Sequence, residues 1–310
     1  MLYKPEGYLI NGTENHEFLS TPAGLEKALE RQQIVESTAL LCDNNFTLHF
    51  DLYGTHAVMP RSEAQYNETG EETKDIAILT RVGKPTCFKI IGFQRGKDGK
   101  RCAVLSRKAA QMECRHQFIS SLMPGDVIPA RVTHLESFGA FVDIGCGIIS
   151  LLSIDSISVS RIAHPHDRFQ PGDRIHVVIK TIDNAGRIYV SRRELLGTWL
   201  ENASRFSVGQ TAAGIVRSIE TYGIFIELAP NLAGLAEWKS GVEVGAQAAV
   251  YIKSILPERM KMKLVLIDAR NEPAPRMPLS YFIDPQKTKH MDAWQYSPPG
   301  CSKMVETRFI

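Results

Sequence analysis

From Val127 the chain reads VIPARVTHLESFGAFVDIG (127–145), then IISLLSI (148–154), then RIHVVIKTIDNAGRIYVSRR (174–193), and these three runs decide the fold. Apolar residues alternate with polar ones over short spans, and the spans are broken by glycine and by Asp183-Asn184-Ala185-Gly186, a sequence with turn chemistry. The reading is five short strands within about seventy residues, which points to a small Greek-key barrel of the OB class and not to a sandwich.

The same pattern returns downstream. Pro124-Gly125-Asp126-Val127 opens one unit and Val208-Gly209-Gln210-Thr211 opens the next. Ser137-Phe138-Gly139-Ala140-Phe141-Val142-Asp143-Ile144 is echoed by Thr221-Tyr222-Gly223-Ile224-Phe225-Ile226-Glu227-Leu228, and Val178-Ile179-Lys180-Thr181-Ile182 by Tyr251-Ile252-Lys253-Ser254-Ile255. Matches in the same order at similar separations mark a tandem repeat. A fainter copy lies upstream, where Val82-Gly83-Lys84-Pro85, Phe88-Lys89-Ile90-Ile91 and Val104-Leu105-Ser106-Arg107-Lys108 resemble the last strands of the middle unit.

The expected architecture is therefore mainly β: tandem five-stranded barrels, short N-terminal and linker helices, and an irregular C-terminal tail. Helices are predicted from Thr21-Pro22, where a cap precedes a first-turn proline, and over Ser106–Leu122. The predicted divisions are an arm with a short helix (1–30), a degenerate barrel (31–120), a full barrel (121–203), a compact barrel (204–269) and a tail (270–310). Past Asp268 frequent proline argues against any long strand or helix. Tyr281, Phe282, Trp294 and Tyr296 make the tail too aromatic for a free linker, so it is expected to lie pinned across one of the barrels.

Bulk properties narrow the function classes. With 44% hydrophobic and 23% charged residues, the chain has an ordinary globular composition. No signal-like start or apolar run of roughly 18 residues occurs, so a cytoplasmic location without membrane contact is expected. The six cysteines form no CxxC pair; Cys114-Arg115-His116 offers two ligand types without a second pair, and no metal or other cofactor is expected. The net charge is only +2, so any nucleic-acid site must be a local stripe. HExxH, GxSxG, P-loop and Rossmann patterns are absent, which argues against an enzyme. Gly96-Lys97-Asp98-Gly99-Lys100 lies between strand-like runs and reads as a hairpin turn.

In Phe138-Gly139-Ala140-Phe141 the two rings stand three residues apart, which in a regular strand places them on opposite faces. Spacing alone leaves Phe141 as core and Phe138 as an edge residue. The intervening glycine permits a kink or close backbone approach that brings both rings to one open face.

Pro124 to Arg193 resembles a complete domain of the S1 RNA-binding family. The resemblance rests on the Pro-Gly-Asp start, Phe138-Gly139-Ala140-Phe141-Val142-Asp143, Leu151-Leu152-Ser153-Ile154, Arg161-Ile162-Ala163-His164-Pro165, Pro171-Gly172-Asp173 and the Asp183–Arg187 turn before Ile188-Tyr189-Val190-Ser191. It implies an RNA face made of Phe138, Phe141, Asp183 and Arg187, with Ser153 where the family carries histidine. Lys180, Arg192 and Arg193 are candidate phosphate contacts. In the third unit the matching positions are Tyr222, Phe225, Lys253 and Lys261, while Glu237 takes the histidine position and Leu256 that of the aspartate. Trp238 offers either a further stacking ring or, the preferred reading, packing, and weaker RNA binding is expected there.

The resemblance further implies binding of single-stranded RNA, including mRNA, in translation. The first unit shows no such ring pair, having Asn44-Asn45-Phe46-Thr47-Leu48 instead, but it carries Arg95, Lys97, Lys100, Arg101, Arg107 and Lys108 in a short span. By resemblance, residues 31–120 are expected to dock on protein or structured rRNA of the small ribosomal subunit. The alternatives are a protein-interaction scaffold, or an accessory factor in RNA decay or transcription, without catalysis.

Overall fold

A computed structural model describes residues 3–68, 70–96, 99–273 and 278–309. Lys97 and Asp98 of the hairpin turn predicted above lie outside the described residues, as do residues 274–277 of the tail. By contacts the molecule divides into two units, residues 1–122 with 143–149, and residues 123–142 with 150–310.

The first unit begins with helices α1 (Thr13–Leu19) and α2 (Pro22–Glu30). Helix α2 starts where the sequence signals it, with the Thr21 hydroxyl accepting the Gly24 amide and Pro22 in the first turn. Strands β1 (Val35–Thr38), β2 (Leu41–Cys42), β3 (Leu48–Leu52), β4 (Thr55–Met59), β5 (Pro85–Arg95) and β6 (Arg101–Ser106) follow, with α3 (Asp75–Leu79) inserted before β5 and α4 (Arg107–Gln117) after β6. They form a sheet of order β1-β5-β6-β4-β3-β2. Its two edges are two pieces of one chain segment, interrupted only at Ala39-Leu40, so the sheet closes through covalent continuity. Ala39 accepts the Gly83 amide on one side while the Leu40 amide donates to His49 on the other. Leu48, Phe50, Ala57, Met59, Phe88, Ile90, Ala103 and Leu105 fill the interior at the alternate positions that a half-buried strand requires.

The middle barrel comprises β7 (Val127–Glu136), β8 (Gly139–Asp143), β9 (Ile149–Ser153), β10 (Arg174–Ile182) and β11 (Ile188–Ser191), closed in the order β10-β11-β9-β8-β7. Helix α5 (Trp199–Ala203), held by a Thr198–Glu201 capping box, leads into the third barrel. That barrel comprises β12 (Thr211–Glu220), β13 (Gly223–Ala229), β14 (Leu232–Ala236), β15 (Ala246–Leu256) and β16 (Lys261–Pro273), and it is also closed. Strand β16 runs beyond Asp268 because the first proline downstream is Pro273, at its end.

The tail is pinned as expected, but to two barrels and not one. Tyr281, Ile283, Met291 and Phe309 pack against Val127, Val178 and Leu195 of the middle domain, and the Val127 amide donates to the Lys289 carbonyl. Trp294 and Tyr296 enter the core of the third barrel, where the Tyr296 hydroxyl donates to the Asn231 carbonyl at 2.6 Å. The tail also forms its own short ladder, β17 (Ala293–Gln295) with β18 (Glu306–Arg308).

These two barrels are joined directly as well. Arg168 donates to Glu227 at 2.6 Å with both side chains buried, and Arg217 donates to the same carboxylate at 2.9 Å. The Asn231 side chain accepts the Val159 amide and donates to the carbonyls of Arg193 and Gly197.

Candidate nucleic-acid interface

Phe138 occupies the tight turn before β8 and is 53% exposed. Phe141 stands half-buried in β8, and its ring meets that of Phe138 edge to face, with centroids 6.0 Å apart at 88°. The glycine between them explains how. A Cβ at Gly139 would lie 2.5 Å from the Leu152 carbonyl oxygen, so only glycine lets β8 approach β9 this closely. The third barrel repeats the device. Tyr222, 67% exposed, meets Phe225 at 6.1 Å and 89°, across a Gly223 whose Cβ would lie 2.4 Å from the Ala236 carbonyl oxygen. Both ring pairs that the sequence singles out are thus brought together on outward faces.

Strand pairing shows what lies beside them. In the third barrel Phe225 pairs with Leu235, and Leu235 with Lys263. In the middle barrel Ile154 donates its amide to Phe138, which sets Phe141 alongside Leu151, and Leu151 pairs with Tyr189. Tyr189 is therefore a further ring on the middle face, two residues from Arg187. The sequence reading passed over it, although Ile188 and Val190 point inward and period-two alternation turns Tyr189 outward. His134, whose ring lies parallel to Phe141 at a centroid distance of 6.4 Å, is a second addition.

The hairpin closing this face is built around Asp183. Its carboxylate accepts the amides of Ala185 and Arg187, and Arg187 Nε donates to it at 2.7 Å. The Arg187 backbone amide, with further help from its side chain and the Ala185 amide, holds the Asp183 carboxyl below its ordinary range. Asp183 is thus the residue that shapes the turn and aims Arg187, whose side chain is 73% exposed. In the third barrel Leu256 pairs with Lys261 at the corresponding hairpin end, which accommodates the one inserted residue.

The Ser153 and Ser156 hydroxyls share a hydrogen bond, and Lys180 Nζ donates to the Ser156 hydroxyl at 3.0 Å, so these two candidates are joined through Ser156. The hydrogen bond from Ser153, and then the charge of Lys180, lower the Asp155 carboxyl. Lys253 and Lys261 are exposed. Arg193 is largely covered and hydrogen-bonded to Glu194 and Thr307.

Arg192 corrects the sequence reading. It is 1% exposed and lies between the Phe169 and Tyr281 rings, about 5 Å from each centroid, with Nη2 donating to the Ser280 carbonyl. Desolvation lowers its pKa. A guanidinium enclosed in this way supports the tail and is not available to a surface phosphate. Trp238, read as packing, is 57% exposed.

Two corrections apply to the first unit. His49 pairs with Val58 where Phe225 pairs with Leu235, so Phe46 and His49 occupy the two ring positions thought to be empty. Both are engaged: Phe46 packs on the core beneath Arg61, and His49 contacts Asp43 and His56. The cationic run is also broken up. Arg107 is buried against Glu6 at 2.7 Å, and Arg101 pairs with Glu26 while covering Phe93.

Residues 121–193 match the model of the S1 RNA binding domain. The chain is 33% identical over 159 residues to a small ribosomal subunit protein bS1 homolog of Bacillus cereus, covering 49% of this chain and 41% of that protein. It is 32% identical over 177 residues to small ribosomal subunit protein bS1 of Staphylococcus aureus, covering 54% and 44%. The chain thus spans less than half the length of these relatives. A solved multidomain protein with nucleic acid binding domains from Streptococcus pneumoniae is 15% identical over 78% of this chain and 75% of its own, at a TM-score of 0.24.

Proposed function

Because residues 121–193 belong to the S1 RNA-binding domain family, we propose that this chain binds single-stranded RNA, mRNA included, on the outward face of the middle barrel and performs no catalysis there. The observation that carries this reading is the edge-to-face pair of Phe138 and Phe141, held in reach of solvent by a backbone approach that only Gly139 permits. Phe138 itself lies outside the buried core, among the exposed large apolar residues.

An exposed ring stacks a base for about 1–3 kcal/mol, and only an unpaired strand offers a free base face. Phe138, Phe141 and Tyr189 are the stacking groups. Arg187, aimed by Asp183, and Lys180 hold phosphates and add a salt-dependent component. Ser153 contributes a hydroxyl where the family's histidine would add a ring, so stacking rests more heavily on the other three. Stacking carries little base preference.

The names of the relatives favour a place in translation, with the small ribosomal subunit as a partner. Residues 31–120 are proposed as the part that docks there, because Phe46 and His49 at their ring positions are engaged with the core and with His56. Co-sedimentation with small-subunit fractions at low salt is the expected behaviour, and absence from those fractions would remove the ribosomal assignment while leaving RNA binding intact.

RNA binding itself is tested by fluorescence anisotropy with a labelled RNA of about a dozen nucleotides. Binding is expected to favour the single strand over a duplex and to weaken as salt is raised. Equal affinity for the duplex would argue against stacking as the source of recognition.

A further inference from the structure

Beyond its ring pair, the third barrel exposes a second group of apolar side chains. Trp238 (57% exposed), Ile267 (51%), Val265 (45%) and Tyr251 (41%) are all outward. Two of them are neighbours by strand pairing. Tyr251 pairs with Val265 across β15 and β16. Strand β14 runs parallel to β16 with Ala236 beside Leu264; Trp238 follows the end of β14, and the ammonium of the next residue, Lys239, donates to the Ile267 carbonyl.

Two features identify what this surface fits. Lysines alternate with its apolar groups on the same outward side: Lys253 follows Tyr251 on β15, and Lys263 precedes Val265 on β16, all exposed. Rings and aliphatic groups interleaved with cations suit a ligand with flat apolar faces and a polyanionic backbone. A purely apolar partner would leave these ammonium groups desolvated. The surface is also continuous with the ring pair, since Phe225, Leu235 and Lys263 stand side by side on consecutive strands. At the spacing of paired strands, Tyr251 lies two strands, or about 10 Å, beyond Leu235. Glu237 and Asp268 border the Trp238 end, where Lys239 offsets one of their two charges, so the phosphate contacts are assigned to the Tyr251 end.

We propose that the β14–β16–β15 side of the third barrel is a second single-stranded RNA surface, on which Trp238 and Tyr251 stack bases and Lys253 and Lys263 hold phosphates. This rests on the RNA-binding reading above and extends it: the third barrel is a stacking platform in its own right. A strand long enough to reach it engages more rings than the Tyr222–Phe225 pair.

The chain supplies its own probe. Of its three tryptophans, Trp199 and Trp294 are 2% and 5% exposed, so Trp238 alone is open to collisional quenching. Titration of the full chain with unlabelled single-stranded RNA of about a dozen nucleotides is followed by tryptophan emission and by iodide quenching, with anisotropy run in parallel. Stacking predicts that RNA quenches the emission and protects it from iodide. Both responses should persist in Phe138→Ala/Phe141→Ala, and Trp238→Ala in that background should weaken the remaining binding, read by anisotropy, by about tenfold. Replacing Lys253 and Lys263 together by alanine should lower the salt slope of this phase by about 1.4, the value for two single-strand phosphate contacts. An anisotropy change with Trp238 still fully accessible to iodide overturns this proposal and leaves the middle face standing. No anisotropy change with the wild-type chain overturns both.

Discussion

The rings of Phe138 and Phe141 stand three residues apart in sequence and 6.0 Å apart in space. Spacing alone leaves Phe141 as core; their place on one open face is implied by the resemblance to the S1 family, with the glycine between them permitting it. Arg192 was not legible. Its burial depends on Tyr281, far along the chain, and nothing local distinguishes it from an exposed cation such as Arg187. Asp143, which follows the ring motif, read as one more residue of the repeat. It is buried, and its carboxylate accepts the amides of Glu6, Gly145 and Gly147. Burial, and then the charge of Glu6, push its pKa up from 3.8 to about 7. A carboxyl raised on folding contributes stability that is complete below the unfolded value and is lost as pH rises through the folded value. The wild-type melting temperature, compared with that of Asp143→Asn, should therefore fall between pH 3.8 and about 7. A relative rise across this window would contradict the assignment.

Hairpins and repeats were readable element by element because period-two alternation and turn residues are local signals. The interruption of the first-unit strand at Ala39-Leu40 was not, since neither residue signals a break. The two ring positions of that unit were hidden for a related reason: Phe46 and His49 match the ring positions only once β3 is registered on β4. Gly139 is where local sequence and packing meet most tightly. Adding a methyl group places it 2.5 Å from a backbone carbonyl that cannot move without shifting β9. Gly139→Ala should destabilise the middle barrel by about 1–3 kcal/mol, the range for overpacking, as read by denaturant unfolding. An unchanged midpoint would show that the close approach is not required.

Across the whole molecule, the sequence reading captured tandem barrels and an anchored tail, but not that the tail fastens two barrels. That depends on contacts such as Val127 with Lys289 and Asn231 with Tyr296, which join segments far apart in the chain. Glu227 holds the two barrels at their buried junction. Glu227→Ala would strand the buried Arg168 without a carboxylate and leave Arg217 only Asp167, 3.4 Å away, and should cost about 3–5 kcal/mol; a loss within error of zero would mean that the ion pair is dispensable. All of this scaffolding serves one claim, that bases stack on the rings of the middle barrel. The direct measurement is the affinity of Phe138→Ala/Phe141→Ala for a short single-stranded RNA, with circular dichroism melting alongside. The account predicts at least a tenfold loss, from about 1–3 kcal/mol per ring, with the melting transition unchanged. Wild-type affinity in a folded double variant would contradict it.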